Sequence, residues 1–168
     1  MPFVTAFYRA LGTGMVISVD SPIDDKVRSA MESLIEDYEH VLSRFRNDSL
    51  IAAIGKAEHG GSFDFPDWCA PLFDLYDALF SATSGAIDPC VGEDLIRLGY
   101  DASLSFTVTQ DAPEHLGALR GRAVWGRDVT RHGTTLVTHE PVQLDFGACG
   151  EKAISSICSG ACCSRHNS

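Results

Sequence analysis

The chain has no long apolar run. Nothing in its 168 residues reaches the ~18 apolar residues that a membrane-crossing helix needs. It is also short of basic residues: 13 Lys and Arg stand against 23 Asp and Glu, a formal net charge of -10. A surface that tracks phosphates needs clustered Lys and Arg, so this balance argues against a nucleic-acid partner. It argues equally against an anionic membrane surface. A nucleotide ligand remains compatible, because backbone N–H groups or Mg²⁺ can carry its phosphates. The N-terminus lacks the basic-then-apolar pattern of a secretory leader. The chain as written reads as cytoplasmic, although a full-length parent could be exported. A disulfide framework is missing too. Cys158, Cys162 and Cys163 crowd the C-terminal end, while Cys69, Cys90 and Cys149 lie among apolar neighbours as buried thiols would. There is no internal repeat.

What is present is ordinary globular composition, 45% hydrophobic and 21% charged, in a length suited to one domain or part of a larger one. Residues 3–8 and 14–19 read as two short strands joined through Leu11-Gly12-Thr13-Gly14. Ser21 and Pro22 suit the opening of a helix over residues 22–43. Its apolar stripe is Val27, Met31, Leu34, Ile35, Tyr38, Val41 and Leu42, with acids on the other face. A short helix over 50–54, a loop over 55–67 and a second helix over 67–82 follow. The expected buried face of that second helix is Trp68, Leu72, Leu75, Leu79 and Phe80. Short helical turns are expected at 91–98 and 113–119. Strands are expected at 123–129, 134–138 and 142–145, the first two joined by a hairpin at Arg131-His132-Gly133. The pattern is α+β, with a largely antiparallel sheet and flanking helices.

Residues 153–168 differ from the rest, with five serines, three cysteines and no acid. Cys158, Cys162, Cys163 and His166 are soft ligands, but their spacing matches no common zinc motif. The expectation is an aberrant or disordered tail, with residues 1–152 forming the domain proper. A frameshift would produce such a tail. Lys-Ala-Ile at 152–154 can be encoded AAG GCT ATA, and the same bases read from the third position give Gly-Tyr.

Two glycine-bearing stretches each hold one aspartate: Ser84-Gly85-Ala86-Ile87-Asp88-Pro89 and Leu144-Asp145-Phe146-Gly147-Ala148-Cys149-Gly150-Glu151-Lys152. Small residues let backbone approach a ligand closely, and a carboxylate can meet a hydroxyl, a ring N–H or a metal. Plainer readings exist for each. Asp88 before a proline suits a turn, residues 147–150 a simple helix entry, and Phe45 a core position. Asp145 after an apolar strand needs a partner if buried. Cys149 stands at a helix start, where a thiol can become acidic. No histidine pair has ligand spacing, and Ser81 and Ser84 lack a nucleophile elbow. No catalytic residue is assigned.

Together with Leu11-Gly12-Thr13 and the 42–49 stretch Leu-Ser-Arg-Phe-Arg-Asn-Asp-Ser, these segments resemble the FAD:protein FMN transferase (ApbE-like) family. Thr83 to Pro89 is similar to the family's Thr-Gly-Gly-Ala-Phe-Asp-Pro. Leu144 to Gly150 is similar to its Leu-Asp-Leu-Gly-Gly-Ile-Ala, which Lys-Gly-Tyr normally follows. The resemblance covers the N-terminal part of such a domain, an ApbE-like fold lacking its C-terminal half. It implies Mg²⁺-dependent transfer of FMN from FAD to a Thr or Ser hydroxyl of a target flavoprotein, with release of AMP. It further implies FAD contacts at Leu11, Phe45, Ala86, Ile87, Asp88, Asp145 and Glu151, and a Mg²⁺ ligand in the Ala148 carbonyl. Leu11 replaces the usual Met, Phe45 a Tyr, and Gly55 an Asn. The family's remaining metal ligands belong to the half that has no counterpart here. The alternative is therefore a non-catalytic truncated pseudoenzyme or flavin-binding fragment.

Overall fold

The computed structural model describes residues 3–10 and 13–149. Leu11, Glu151 and the tail at 153–168 lie outside the described residues. The chain opens with the antiparallel pair β1 (Phe3–Ala10) and β2 (Thr13–Val19), registered Phe3 to Val19 and Phe7 to Met15. Helix α1 (Asp25–Leu42) packs beside them. Its Arg28 reaches across to Thr5 Oγ1 at 3.0 Å and the Ala6 carbonyl at 3.2 Å, and lies over the Phe7 ring. The helix buries Met31, Ile35, Tyr38 and Leu42, the centre of the stripe expected from the sequence. Its cap is different. Asp24, not Ser21, accepts the Val27 N–H at 2.7 Å, and Ser21-Pro22-Ile23 stay outside the helix. Aspartate is at least as good a cap as serine, and starting at Asp25 adds an acid to the first turn.

Helix α2 (Leu50–Lys56) is capped by Ser49, whose hydroxyl accepts the Ala52 N–H. The stretch expected as a loop after it holds a strand, β3 (Gly61–Asp64). Four residues carry too little alternation to announce themselves, and their partner lies far along the chain. β3 pairs with β5 (Thr135–Thr138), which pairs with β4 (Val129–His132), giving an antiparallel sheet in the order β3-β5-β4. Among the described residues the sheet is thus two separate antiparallel units. The β4–β5 hairpin turns at Gly133, whose φ of +64° suits a residue without Cβ.

The strand expected over 123–129 begins only at Val129. Residues 124–128 form a tight turn, with the Arg127 and Asp128 N–H groups on the Val124 carbonyl and Asp128 Oδ2 accepting from Val124 N–H. Residues 142–145 are extended but form no ladder. Their neighbour is the 3₁₀ turn Pro89–Val91 and the helix start at Gly92, so just two backbone bonds bridge the segments: Gly92 N–H to Gln143 O and Asp145 N–H to Pro89 O.

Helix α3 (Ala70–Ala82) follows a 3₁₀ turn at Asp67–Cys69 and buries Leu72, Phe73 and Tyr76. This differs from the expected face at Leu75, which is exposed, and at Phe73 and Tyr76, which are buried in its place; Trp68 does pack against the core, stacked on Tyr38. The tighter first turn shifts the phase of the stripe. Short helices α4 (Gly92–Arg97) and α5 (Ala112–His115) follow, and a 3₁₀ turn at Ala118–Arg120 takes the end of the helical stretch expected over 113–119. No helix among the described residues is long and apolar enough to cross a membrane. Cys69 and Cys90 are buried free thiols, as expected, and Cys149 is half-buried.

The core is aromatic where it meets the site. Phe146 is 1% exposed and touches three rings: Phe73 at 5.4 Å between centroids, Tyr76 at 5.3 Å and Trp125 at 6.2 Å. Losing such a ring costs roughly 3–5 kcal/mol. Val142, Leu144 and Phe146 alternate inward with the half-buried Gln143 and Asp145. That alternation fixes Asp145 on the opposite side of the segment from its anchors.

Candidate functional site

A cavity of about 490 Å³ opens where α1, the turn after it, the 86–91 segment and residues 145–148 meet. Its walls include Phe45, Ala86, Asp88, Asp145 and Ala148. The fold therefore brings together five of the residues that the sequence singled out, from three separate stretches. Ile87 lies on the same turn but is exposed and is not part of the wall. Leu11 and Glu151 lie outside the described residues.

Local chemistry shapes each stretch. After α3, the Thr83 hydroxyl donates to the Leu79 carbonyl and accepts the Ile87 N–H at 3.0 Å. Ser84 and Gly85 take positive φ, 53° and 83°, to make the turn that presents Ala86. Asp88 then caps the next turn, accepting the Cys90 N–H at 2.9 Å. Its carboxylate also accepts the Trp125 N–H at 3.3 Å and pairs with Arg122 at 3.1 Å. Arg122 pairs in turn with Asp94 at 2.9 Å. So Asp88 faces the cavity while its charge is already answered by buried partners.

Asp145 is placed differently. Oδ1 accepts the Gly147 N–H at 2.7 Å, which caps the helical turn at 147–149. A Cβ on Gly147 would come within 2.9 Å of that oxygen, so a small residue is needed there. Oδ2 accepts from Nε of Arg44, a side chain 9% exposed. The Arg44 guanidinium carbon sits 4.3 Å from the Phe45 ring centroid and 4.7 Å from that of Tyr100. One face of Phe45 is thus covered by the protein's own cation.

Three phenols line the same space, those of Tyr38, Tyr76 and Tyr100. Burial above all, then the charges of nearby thiols and Asp145, holds Tyr38 and Tyr76 well above the ordinary tyrosine range. Both remain protonated and able to donate.

Arg44, Tyr100 and Arg122 were not singled out by the sequence. Arg44 stands inside the quoted 42–49 stretch, between Ser43 and Phe45, and that adjacency was the available signal. Tyr100 follows Gly99 with no motif around it, and Arg122 acts on a residue 34 positions away. Among the described residues no group of three His, Cys, Asp or Glu side chains is placed to hold a metal ion.

A sequence model described as the ApbE family matches residues 11–159. No functionally curated protein matches the chain. Among solved structures, the flavin transferase ApbE from Vibrio cholerae superimposes with TM-score 0.80 at 18% identity, covering 99% of this chain and 55% of that one. The flavinyl transferase ApbE of Pseudomonas stutzeri, apo form, gives 0.69 at 16% identity over 95% and 55%. An ApbE protein from Thermotoga maritima gives 0.70 at 18% identity over 95% and 52%. At these identities the likeness is one of fold. The chain spans about half the length of the structures it matches.

Proposed function

The chain belongs to the ApbE family, and on that premise we propose that its cavity receives FAD and serves Mg²⁺-dependent transfer of FMN to a Thr or Ser hydroxyl of a target flavoprotein. One observation carries this reading: Phe45, Ala86, Asp88, Asp145 and Ala148, from three stretches of sequence, converge on one aromatic-walled cavity. In the reaction, the acceptor hydroxyl oxygen bonds to the FMN phosphorus and loses its proton. The bond from that phosphorus to the bridging oxygen breaks, and AMP leaves with that oxygen.

This chain's residues would bind and orient. The apolar walls exclude water from a planar ring. Asp145 accepts from a ring or ribose donor, and the protonated Tyr38 and Tyr76 offer hydroxyl donors. Leu11, Ile87 and Glu151 remain proposed FAD contacts. Mg²⁺ would neutralise the diphosphate. The described residues do not complete a site for it: Mg²⁺ takes about six oxygens, and here the Ala148 carbonyl is the one proposed ligand.

That shortfall favours a second reading, a flavin-binding chain without turnover. Incubation with FAD, Mg²⁺ and a domain bearing an acceptor threonine separates the two. Mass spectrometry reads the FMN adduct and released AMP. An adduct that disappears in Asp145→Ala, with the fold retained, supports transfer. FAD binding with no adduct, beside an active full-length relative, supports the second reading and overturns the first.

A further inference from the structure

Arg44 is the one basic side chain among the described residues lining the cavity. It is nine-tenths buried, yet its Nη2 has no hydrogen-bond partner among the described residues. A buried, unanswered guanidinium donor is costly, and an acceptor on a bound ligand would remove that cost. Covalent geometry says where it stands. Nη2 lies on the same edge of the guanidinium as Nε–H, and Nε–H donates to Asp145 Oδ2. The Asp145 carboxylate accepts one bond at each oxygen, from Arg44 and from Gly147, and a carboxylate has about four lone-pair sites. A spare donor and a spare acceptor therefore stand side by side.

Their charges cancel within the pair, and the Phe45 and Tyr100 rings flank the cation. Such a neutral, planar, aromatic-flanked pair does not select for a dianion. It selects for the edge of a flat heterocycle that presents an acceptor next to an N–H. Resting on the FAD reading above, we propose that Arg44 acts with Asp145 as the specificity-determining pair that reads one ring edge of the dinucleotide. The isoalloxazine imide offers N–H beside a carbonyl. Adenine offers its amino group beside a ring nitrogen. The chemistry is shared, and the ring fragments distinguish the sources.

The test measures binding of FAD, riboflavin and adenosine to the full chain, as wild type, Arg44→Met and Arg44→Lys. Melting curves accompany each protein. Arg44→Met keeps an unbranched chain against Phe45 and Tyr100, and Arg44→Lys keeps the charge without the planar fork. Both variants are expected to weaken FAD by about tenfold or more. The same loss should appear with riboflavin or with adenosine, whichever ring is read, while the other fragment binds as before. Unchanged FAD affinity in either variant overturns the assignment and leaves the FAD reading standing. Equal weakening of both fragments overturns it as well, since that marks a general structural role. A wild-type chain that binds none of the three ligands overturns the FAD reading and this one together.

Discussion

Arg122 and Asp88 form an ion pair at 3.1 Å between side chains 7% and 3% exposed, tying segments 34 residues apart. Asp88 also receives the Cys90 and Trp125 N–H groups, so it joins the cavity wall to the aromatic core. Asp88→Ala should therefore lower stability by about 3–5 kcal/mol, because it leaves Arg122 buried beside Asp94 alone. Urea unfolding followed by tryptophan fluorescence reads the loss. The double variant Asp88→Ala/Arg122→Met should be less unstable than the sum of the singles. Additive losses would show that the two side chains act separately.

The elements legible in the sequence were those whose signal is local. α1 carries its stripe over five turns, so the periodicity alone places Met31, Ile35, Tyr38 and Leu42 inside. The β4–β5 hairpin is marked by His132-Gly133. β3 is invisible because four residues acquire strand character from a partner about seventy positions later. The site divides along the same line. Glycines and aspartates in short motifs are readable, and Phe45, Ala86, Asp88, Asp145 and Ala148 do share one cavity. What answers their charges is not readable: Arg44 lies 101 positions from Asp145, and nothing in either neighbourhood names the other.

Gly92 should be intolerant of a side chain. Its N–H donates to the Gln143 carbonyl, and a Cβ would come within 2.6 Å of that same oxygen. Gly92→Ala must push residues 143–145 away from the 89–92 turn, at about 1–3 kcal/mol. Asp145 moves with them, so ligand affinity should fall along with the melting temperature. An alanine variant with wild-type melting and binding would show that the segment yields without cost.

Alkaline pH should weaken the fold through its thiols. Burial pushes the Cys69 thiol up to about 12, and burial followed by the Asp88 charge raises Cys90 further. The folded chain keeps these protons, whereas the unfolded chain releases them near ~8.5. The contribution is thus complete below that pH and is lost as pH rises toward the folded values. Each thiol adds a slope of up to about 1.4 kcal/mol per pH unit. Urea midpoints should be flat between about pH 7 and 8 and should decline above about pH 9. Cys69→Ala should shallow the decline, and an identical slope would assign it elsewhere.

Asp101 governs the loop that follows Tyr100. Its carboxylate accepts the Ser103 and Ser105 N–H groups and both of their hydroxyls. These bonds hold Leu104 and Phe106 at positive φ, 51° and 48°, a backbone that residues with a Cβ rarely adopt. Phe106 then rests on Tyr100 at 6.3 Å between centroids, and Tyr100 lines the cavity. The Ser103 hydroxyl first, then that of Ser105, holds Asp101 far below the ordinary carboxylate range. A lowered folded value means that its support is whole above the unfolded value, near ~3.9, and is lost as pH falls through the folded one. The loop should therefore stay ordered at pH 4, where an unpaired carboxylate is about half protonated. Asp101→Ala should release the strain at any pH, and amide exchange at residues 103–107 should speed up by tenfold or more. Exchange that is equally slow in the variant would show that Phe106 packing, and not the carboxylate, holds the loop.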